Sequence, residues 1–287
     1  MSRWGSMIKY ISIFLFIANN LFASDESMSA LIRTDQGFID YANRVIISRG
    51  TASVVAKTIS DQNSKTMKKN LKMSKGEAKT RARENLLDLV RLVNFDDRTV
   101  GDMMLQDPLT ESRVENLVSS AYQQGEIEYL ERNEVAIALA IKMSGLAEIL
   151  IDATGHMSED LAQSTFLMTR NSIPKSERAS GIVIDARNIY HVPAMVPKIF
   201  NENDNMIYGP RHYTRSRSVN RGPIGYAHSM KDGNVLRRVG NNPITIEAIS
   251  SDDTVNLTIS NADAEILRDV EKKFGLLTNC KVLVLLK

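Results

Sequence analysis

Two short runs constrain the fold of this chain more than any other feature. They are Ile182, Val183 and Ile184, followed by the charged pair Asp185 and Arg187, and Val282, Leu283, Val284, Leu285 and Leu286 at the C-terminus. Apolar, largely branched runs of this length, without polar alternation, read as strands covered on both faces. The first reaches the surface at its charged end, and the second belongs in the interior of a sheet. Residues 193–200 and 207–209 are further extended segments, and the asparagine-rich stretch 201–205 between them reads as a turn. Residues 244–249 and 255–259 read as strands. Ser260 and Asp263 have the spacing of a capping box, ahead of a helix whose buried side is Ile266, Leu267, Val270 and Phe274 and whose stop is Gly275.

The preceding half carries helical periodicity. Ala78, Ala82, Leu86, Leu89, Val90 and Val93 form one apolar stripe, so the basic residues among them occupy the wet face. Between residues 65 and 83 there are eight basic residues and one acid, Glu77, and residues 65–75 read as a loop ahead of the helix. Residues 44–52 read as a first strand, 96–107 as a connection, 109–121 as a second helix, and 126–130 with 134–143 as a hairpin. In its second strand Val135, Ile137, Leu139, Ile141 and Met143 alternate with Ala136, Ala138 and Ala140, giving one bulky face and one small enough for a helix to lie close. A short helix over 146–151 completes the order β-α-α-β-β-α. The expected fold class is α+β: two α+β domains, 44–151 and 180–287, each a small mixed or antiparallel sheet with helices packed on one face. A polar segment, 24–43, precedes them, and a polar linker, 152–179, joins them, with one helix expected over 161–168.

Residues 1–23 read as a secretory leader. Arg3 and Lys9 precede the apolar run 11–17, and Ala23 supplies a small residue before Ser24; Met7 is an alternative start. A retained short anchor is the competing reading. Removing Arg3 and Lys9 with the leader brings the formal charge from +2 to about 0, so net charge singles out no partner. The single cysteine, Cys280, does not follow the leader as a lipidated cysteine would, and it has no partner for an internal disulfide. The chain is therefore expected in the periplasm, exported and not lipidated, without a transmembrane span once the leader is cut. Export makes nucleic acid an unexpected partner.

Chemistry-bearing motifs are sparse. There is no Walker-type phosphate loop, no nucleophile elbow and no helical histidine pair, and His156, His191, His212 and His228 are scattered. No cofactor, metal site or catalytic set is expected. Three readings remain. The first is a structural or assembly protein that associates with envelope proteins or with itself. The second is a binding module for an anionic envelope polymer such as the cell wall, through the loop 208–238, which has seven basic residues and one acid interleaved with Tyr208, Tyr213 and Tyr226; a solvated loop whose tyrosines pack on the sheet is the alternative for it, and the more common one. The residues singled out for contact there are Tyr208, Arg211, Tyr213, Arg215, Arg217 and Arg221. The third is an enzyme built around Asp185 and Arg187, which share one strand face; a structural ion pair at the strand end is the alternative for them.

Several stretches resemble a known family. Residues 181–187, 193–199, 208–209, 225–226, 238–240 with 242–243, 259–260 with 263–264, and the cysteine-led last strand look like the C-terminal half of exported bacterial proteins allied to small outer-membrane lipoproteins. The amphipathic helix, Thr99 to Asp102, Val114 and the hairpin look like the lipoprotein domain itself and the first domain of a flagellar periplasmic ring protein. The resemblance implies a non-enzymatic component of envelope structures, among them the disks and rings around the flagellar motor. Two departures stand out. No lipidated cysteine follows the leader, and Asn188 occupies a position where a glycine is expected.

Overall fold

The computed structural model describes residues 30–54, 64–130, 133–151, 156–161, 178–251 and 254–287. The expected leader, most of the linker 152–179 and nearly all of its helix 161–168 lie outside these residues.

The first sheet is antiparallel throughout. It begins with a hairpin, β1 (Leu31–Thr34) and β2 (Gly37–Asp40), and continues into β3 (Val45–Ser53). Residues 31–40 were expected to be part of a polar lead-in; they extend the sheet instead, with Ile39 buried against the core. The chain then forms α1 (Ser64–Arg91), α2 (Val100–Gln106) and α3 (Pro108–Ser119), followed by β4 (Tyr122–Gln123), β5 (Glu128–Leu130), β6 (Glu134–Lys142) and α4 (Met143–Leu150). β6 pairs with β3 along its length, and β4 and β5 both pair with β6.

The six stripe residues are all fully buried, five of them in α1 and Val93 just past its end. Two details differ from the expectation. The helix already begins at Ser64, so the basic residues from Lys65 to Lys75 project from a helix and not from a loop. It also lies on the bulky face of β6, not on its alanine face. Cross-strand partners share a face, and the pairs Ser48 with Leu139, Gly50 with Ile137 and Ala52 with Val135 point towards α1. Close approach comes from the small residues of β3: the Ser48 hydroxyl donates to Ala82 O at 2.6 Å, and Gly50 passes directly beneath the helix. Residues 96–107, expected as a connection, contain α2, whose N-terminus is a capping box between Thr99 and Asp102.

The second sheet has the order β10-β13-β7-β11-β12-β8-β9, formed by β7 (Gly181–Asp185), β8 (Ile199–Asn201), β9 (Met206–Tyr208), β10 (Ile224–Ala227), β11 (Pro243–Ser250), β12 (Leu257–Ile259) and β13 (Val282–Leu285). It is mixed, parallel except at β11 with β12 and β8 with β9. The C-terminal strand β13 lies inside the sheet between β10 and β7, and the Asn201 carboxamide closes the turn after β8 by accepting from Asn203 N and Asn205 N. Between the strands run α5 (Arg215–Arg221), α6 (Gly233–Val239) and α7 (Asn261–Phe274). α7 is capped by Ser260 and ends on Gly275 in the left-handed region. Its buried face is Ala264, Leu267 and Val270, while Ile266 is exposed. The stretch 208–238 is thus two helices, a short 3-10 turn (Pro210–His212) and an edge strand, not a loop. The chain is a two-domain α+β protein, and no described helix is long and apolar enough to cross a membrane.

One face of the second sheet is covered by α6, through Val235 and Val239 on Val183, Ala227, Leu283 and Leu285. The alternate residues Ile182, Ile184, Val282, Val284, Ile224 and Tyr226 enter a core that is continuous with that of the first sheet. Residues 193–196 are fastened on both sides. Met195 N and Val196 N donate to Asn94 O and Phe95 O, just beyond α1. The Tyr226 hydroxyl holds both the N–H and the carbonyl of Ala194 at 3.0 Å. Tyr41, from the loop between β2 and β3, meets Tyr226 edge to face at 6.1 Å, which fits the quadrupoles of the two rings.

Candidate interdomain anion site

The loop Tyr41, Ala42, Asn43, Arg44 is the point of the first domain that reaches into the second. Asp40 holds it in shape by accepting from both the backbone and the side-chain nitrogen of Asn43, and Arg44 adopts a left-handed backbone, φ 56°. The Arg44 guanidinium is thereby aimed at the C-terminal end of α5, where it donates to Val219 O at 3.0 Å and Asn220 O at 2.9 Å. Arg238, at the end of α6, takes the next two carbonyls, Arg221 O at 2.9 Å and Gly222 O at 2.7 Å, and also Val282 O in β13. Arg221 in turn reaches back to Arg237 O and Arg238 O. Four successive carbonyls, residues 219–222, therefore face two arginines, and the end of α6 faces a third. Cations suit helix C-termini because the last carbonyls are unsatisfied and carry partial negative charge.

Gly225 makes this arrangement possible. A Cβ there would come within 2.5 Å of Arg238 Cδ and 2.7 Å of its Nε, so only a strand without a side chain lets Arg238 lie across β10. Burial lowers the pKa of Arg238 to about 10, with Arg221 and Arg44 pushing the same way and the Tyr208 and Cys280 side chains opposing. Burial also lowers that of Arg44. Carbonyl oxygens satisfy donors without cancelling charge, so the cluster remains cationic.

Two adjoining hollows open on it. One, of about 490 Å³, is lined by Asn43, Arg44, Asn220, Arg221, Asn234, Arg237 and Arg238 over a floor that includes Tyr226. The other, of about 440 Å³, shares Asn43, Arg44 and Asn220 and adds Lys142, Tyr122, Gln124 and Ser144 from the first sheet. Five cations line the pair and no carboxylate does. Asn234 Nδ2 donates to Asn43 Oδ1 at 2.9 Å, bridging the seam beside the first hollow. The Arg237 side chain is exposed and makes no hydrogen bond among the described residues.

Of the residues expected at a site, only Arg221 lies here. Asp185 and Arg187 form a two-pronged pair at 2.8 and 2.5 Å at the end of β7, and the Arg187 hydrogen bonds hold the Asp185 carboxyl below the usual carboxylate range. Tyr208 and Tyr213 are fully buried and so present no ring to a ligand; their centroids are 5.3 Å apart. Arg211 is exposed on the 3-10 turn. Arg215 clamps α5 to α4 through the Glu148 carboxylate at 2.9 Å and its carbonyl at 2.8 Å. Arg217 pairs with Glu159 at 3.4 Å. Cys280 is a free, buried thiol, raised in pKa by burial, with the nearby Tyr208 hydroxyl acting the other way. The histidines are dispersed: three lie against tyrosine rings, His156 on Tyr213, His191 on Tyr226 and His212 on Tyr208, and His228 Nδ1 lies 2.7 Å from Lys287 O. The basic count over 208–238 falls on the stretch that supplies Arg221, Arg237 and Arg238 to these hollows, whereas Arg44, Lys142 and Tyr122 carried no local signal.

Fold and site together define a two-domain α+β protein with a carboxylate-free, arginine-lined cleft at the domain seam. Residues 181–287 match the family model for the second domain of Treponema pallidum Tp0624, so this part of the chain is similar to a domain of a bacterial protein family. The match begins at the first residue of β7 and covers well under half of the chain. No curated protein matches the chain. Neither finding links it to the small outer-membrane lipoproteins or the flagellar ring proteins that its sequence resembles.

Proposed function

We propose that this protein is a non-enzymatic binding component of the bacterial cell envelope, which engages an anionic partner at the seam between its two domains. The observation that carries the reading is the set of five cations, Arg44, Lys142, Arg221, Arg237 and Arg238, around two adjoining hollows with no carboxylate among their lining residues. Such a cluster repels itself, and an anion with several oxygens relieves that repulsion while using the guanidinium donors left over from the helix carbonyls. The leader-like residues 1–23 support export to the periplasm without lipidation. The resemblance to envelope and flagellar proteins supports a place in an envelope assembly, with other envelope proteins or further copies of this chain as neighbours. The basic stretch 208–238 contributes through Arg221, Arg237 and Arg238 and through Tyr226 on the floor of the first hollow, while Tyr208 and Tyr213 are fully buried.

Co-sedimentation with isolated cell envelopes tests the reading. The protein is expected to sediment at low salt and to be released as salt is raised, because exposed charge pairs are screened. Arg237→Glu, at an exposed side chain with no hydrogen bond or ion pair among the described residues, is expected to abolish sedimentation while leaving the unfolding midpoint unchanged. Sedimentation of the variant equal to that of the parent would refute the reading.

A further inference from the structure

Resting on the reading of the seam as an anion site, we propose that the two hollows together recognise a phosphosugar: a phosphate group held among the arginines of the first hollow, joined to a sugar seated in the second. The chemistry of the two linings differs in the way such a ligand requires. The first hollow has four arginines and no lysine among its lining residues. Their planar multi-donor heads suit an oxyanion with several acceptor oxygens, and three of them are held in place by the carbonyls of residues 219–222, 237 and 238. Arg237 lines the same hollow with an exposed side chain whose donors have no partner among the described residues. Donors fixed before binding lose little freedom when a ligand arrives.

The second hollow carries a single further cation, Lys142, with the amide of Gln124, the hydroxyl of Ser144 and the half-exposed ring of Tyr122. An aromatic face beside amide and hydroxyl groups matches a sugar ring, whose C–H face packs on the aromatic side chain while its hydroxyls exchange hydrogen bonds. The shared wall of Asn43, Arg44 and Asn220 places the two linings next to each other, so one ligand can occupy both. The phosphosugar can come from a free sugar phosphate or from the phosphorylated headgroup of a glycolipid.

Calorimetric titration of the purified protein with inorganic phosphate, N-acetylglucosamine, glucuronate and N-acetylglucosamine 1-phosphate tests this. The sugar phosphate is expected to bind about tenfold more tightly than phosphate, with the neutral sugar and the uronate weaker than both. Arg237→Gln should weaken phosphate and sugar phosphate alike, by about tenfold, and Tyr122→Ala should weaken the sugar phosphate alone. Arg44 and Arg238 are left intact because they also hold the helix ends. If phosphate and sugar phosphate bind equally and Tyr122→Ala changes neither, or if the uronate binds as tightly as the sugar phosphate, the phosphosugar assignment fails while the anion site stands. If no anion binds, or Arg237→Gln binds as the parent does, both fail. A parallel titration with phosphorylated lipopolysaccharide micelles distinguishes the sources: tighter binding to micelles than to the free sugar phosphate identifies the lipid headgroup, and the reverse identifies the free compound.

Discussion

Tyr208 and Tyr213 are neighbours in the core, both fully buried, yet their hydroxyls differ. That of Tyr208 donates to Pro223 O at 2.9 Å, whereas that of Tyr213 has no hydrogen-bond partner among the described residues. A buried hydroxyl with a partner contributes about 1 kcal/mol net, and one without is a liability. Tyr208→Phe is therefore expected to destabilise the protein by about 1–2 kcal/mol, and Tyr213→Phe to be neutral or stabilising. Urea unfolding of the two variants side by side checks this, and equal losses would count against the difference. The same residues show what a sequence conceals at this scale. Tyrosines interleaved with arginines can grip a ligand or pack inward, and nothing within residues 208–238 distinguishes a ring that faces a ligand from one buried near Cys280. Asp185 and Arg187 were easier, because the two are close in sequence; β7 ends at Asp185, so Arg187 does not share a strand face with it but reaches back from the turn that follows. Arg44 could not be found: its partners, Val219 and Asn220, lie on a helix of the other domain.

At the scale of elements, α1 was legible because one periodicity runs through its second half, from Ala78 to Val90. Its lysine-rich first half has few apolar residues to mark a period, so its helical state depends on propensity and continuity with the rest. The hairpin of β1 and β2 and the helix α2 were hidden because each is short, and each is held mainly by neighbours outside it. Two glycines separate packing from propensity in the same pair of elements. A Cβ at Gly50 would lie 2.2 Å from both Ala78 O and Ala82 N, backbone atoms of α1 that cannot turn aside. Gly76 sits in the same helix with nothing within 4 Å of the corresponding position. Gly50→Ala is expected to cost about 1–3 kcal/mol or more, since the helix must lift off β3. Gly76→Ala should gain about 0.5–1 kcal/mol through helix propensity alone. Thermal unfolding of the two variants gives shifts of opposite sign if α1 lies on β3 as described.

At the scale of the whole molecule, the presence of two α+β units is visible in the sequence, but the way they join is not. The join consists of Asn94 and Phe95 bonded to Met195 and Val196, Tyr226 holding Ala194, and Arg44 capping α5, all between residues far apart in the chain. No local pattern encodes contacts of that kind. A core that runs from α1 to β13 without interruption, with backbone hydrogen bonds across the seam, has no plane along which one domain can open while the other keeps its packing. The two sheets are therefore expected to unfold in one transition, unlike domains that meet through a small polar interface. Tyr226→Phe gives the decisive comparison, because it frees residues 193–196 from the second sheet while removing no side chain of the first. Losing both hydrogen bonds to Ala194 should cost about 1–3 kcal/mol. Native-state hydrogen exchange should show that loss equally at the slowest amides of β13 and of α1, since both exchange only through global opening. Weakened protection in β13 with α1 unchanged would show that the domains open independently, and would leave the arginine cleft between two parts free to separate.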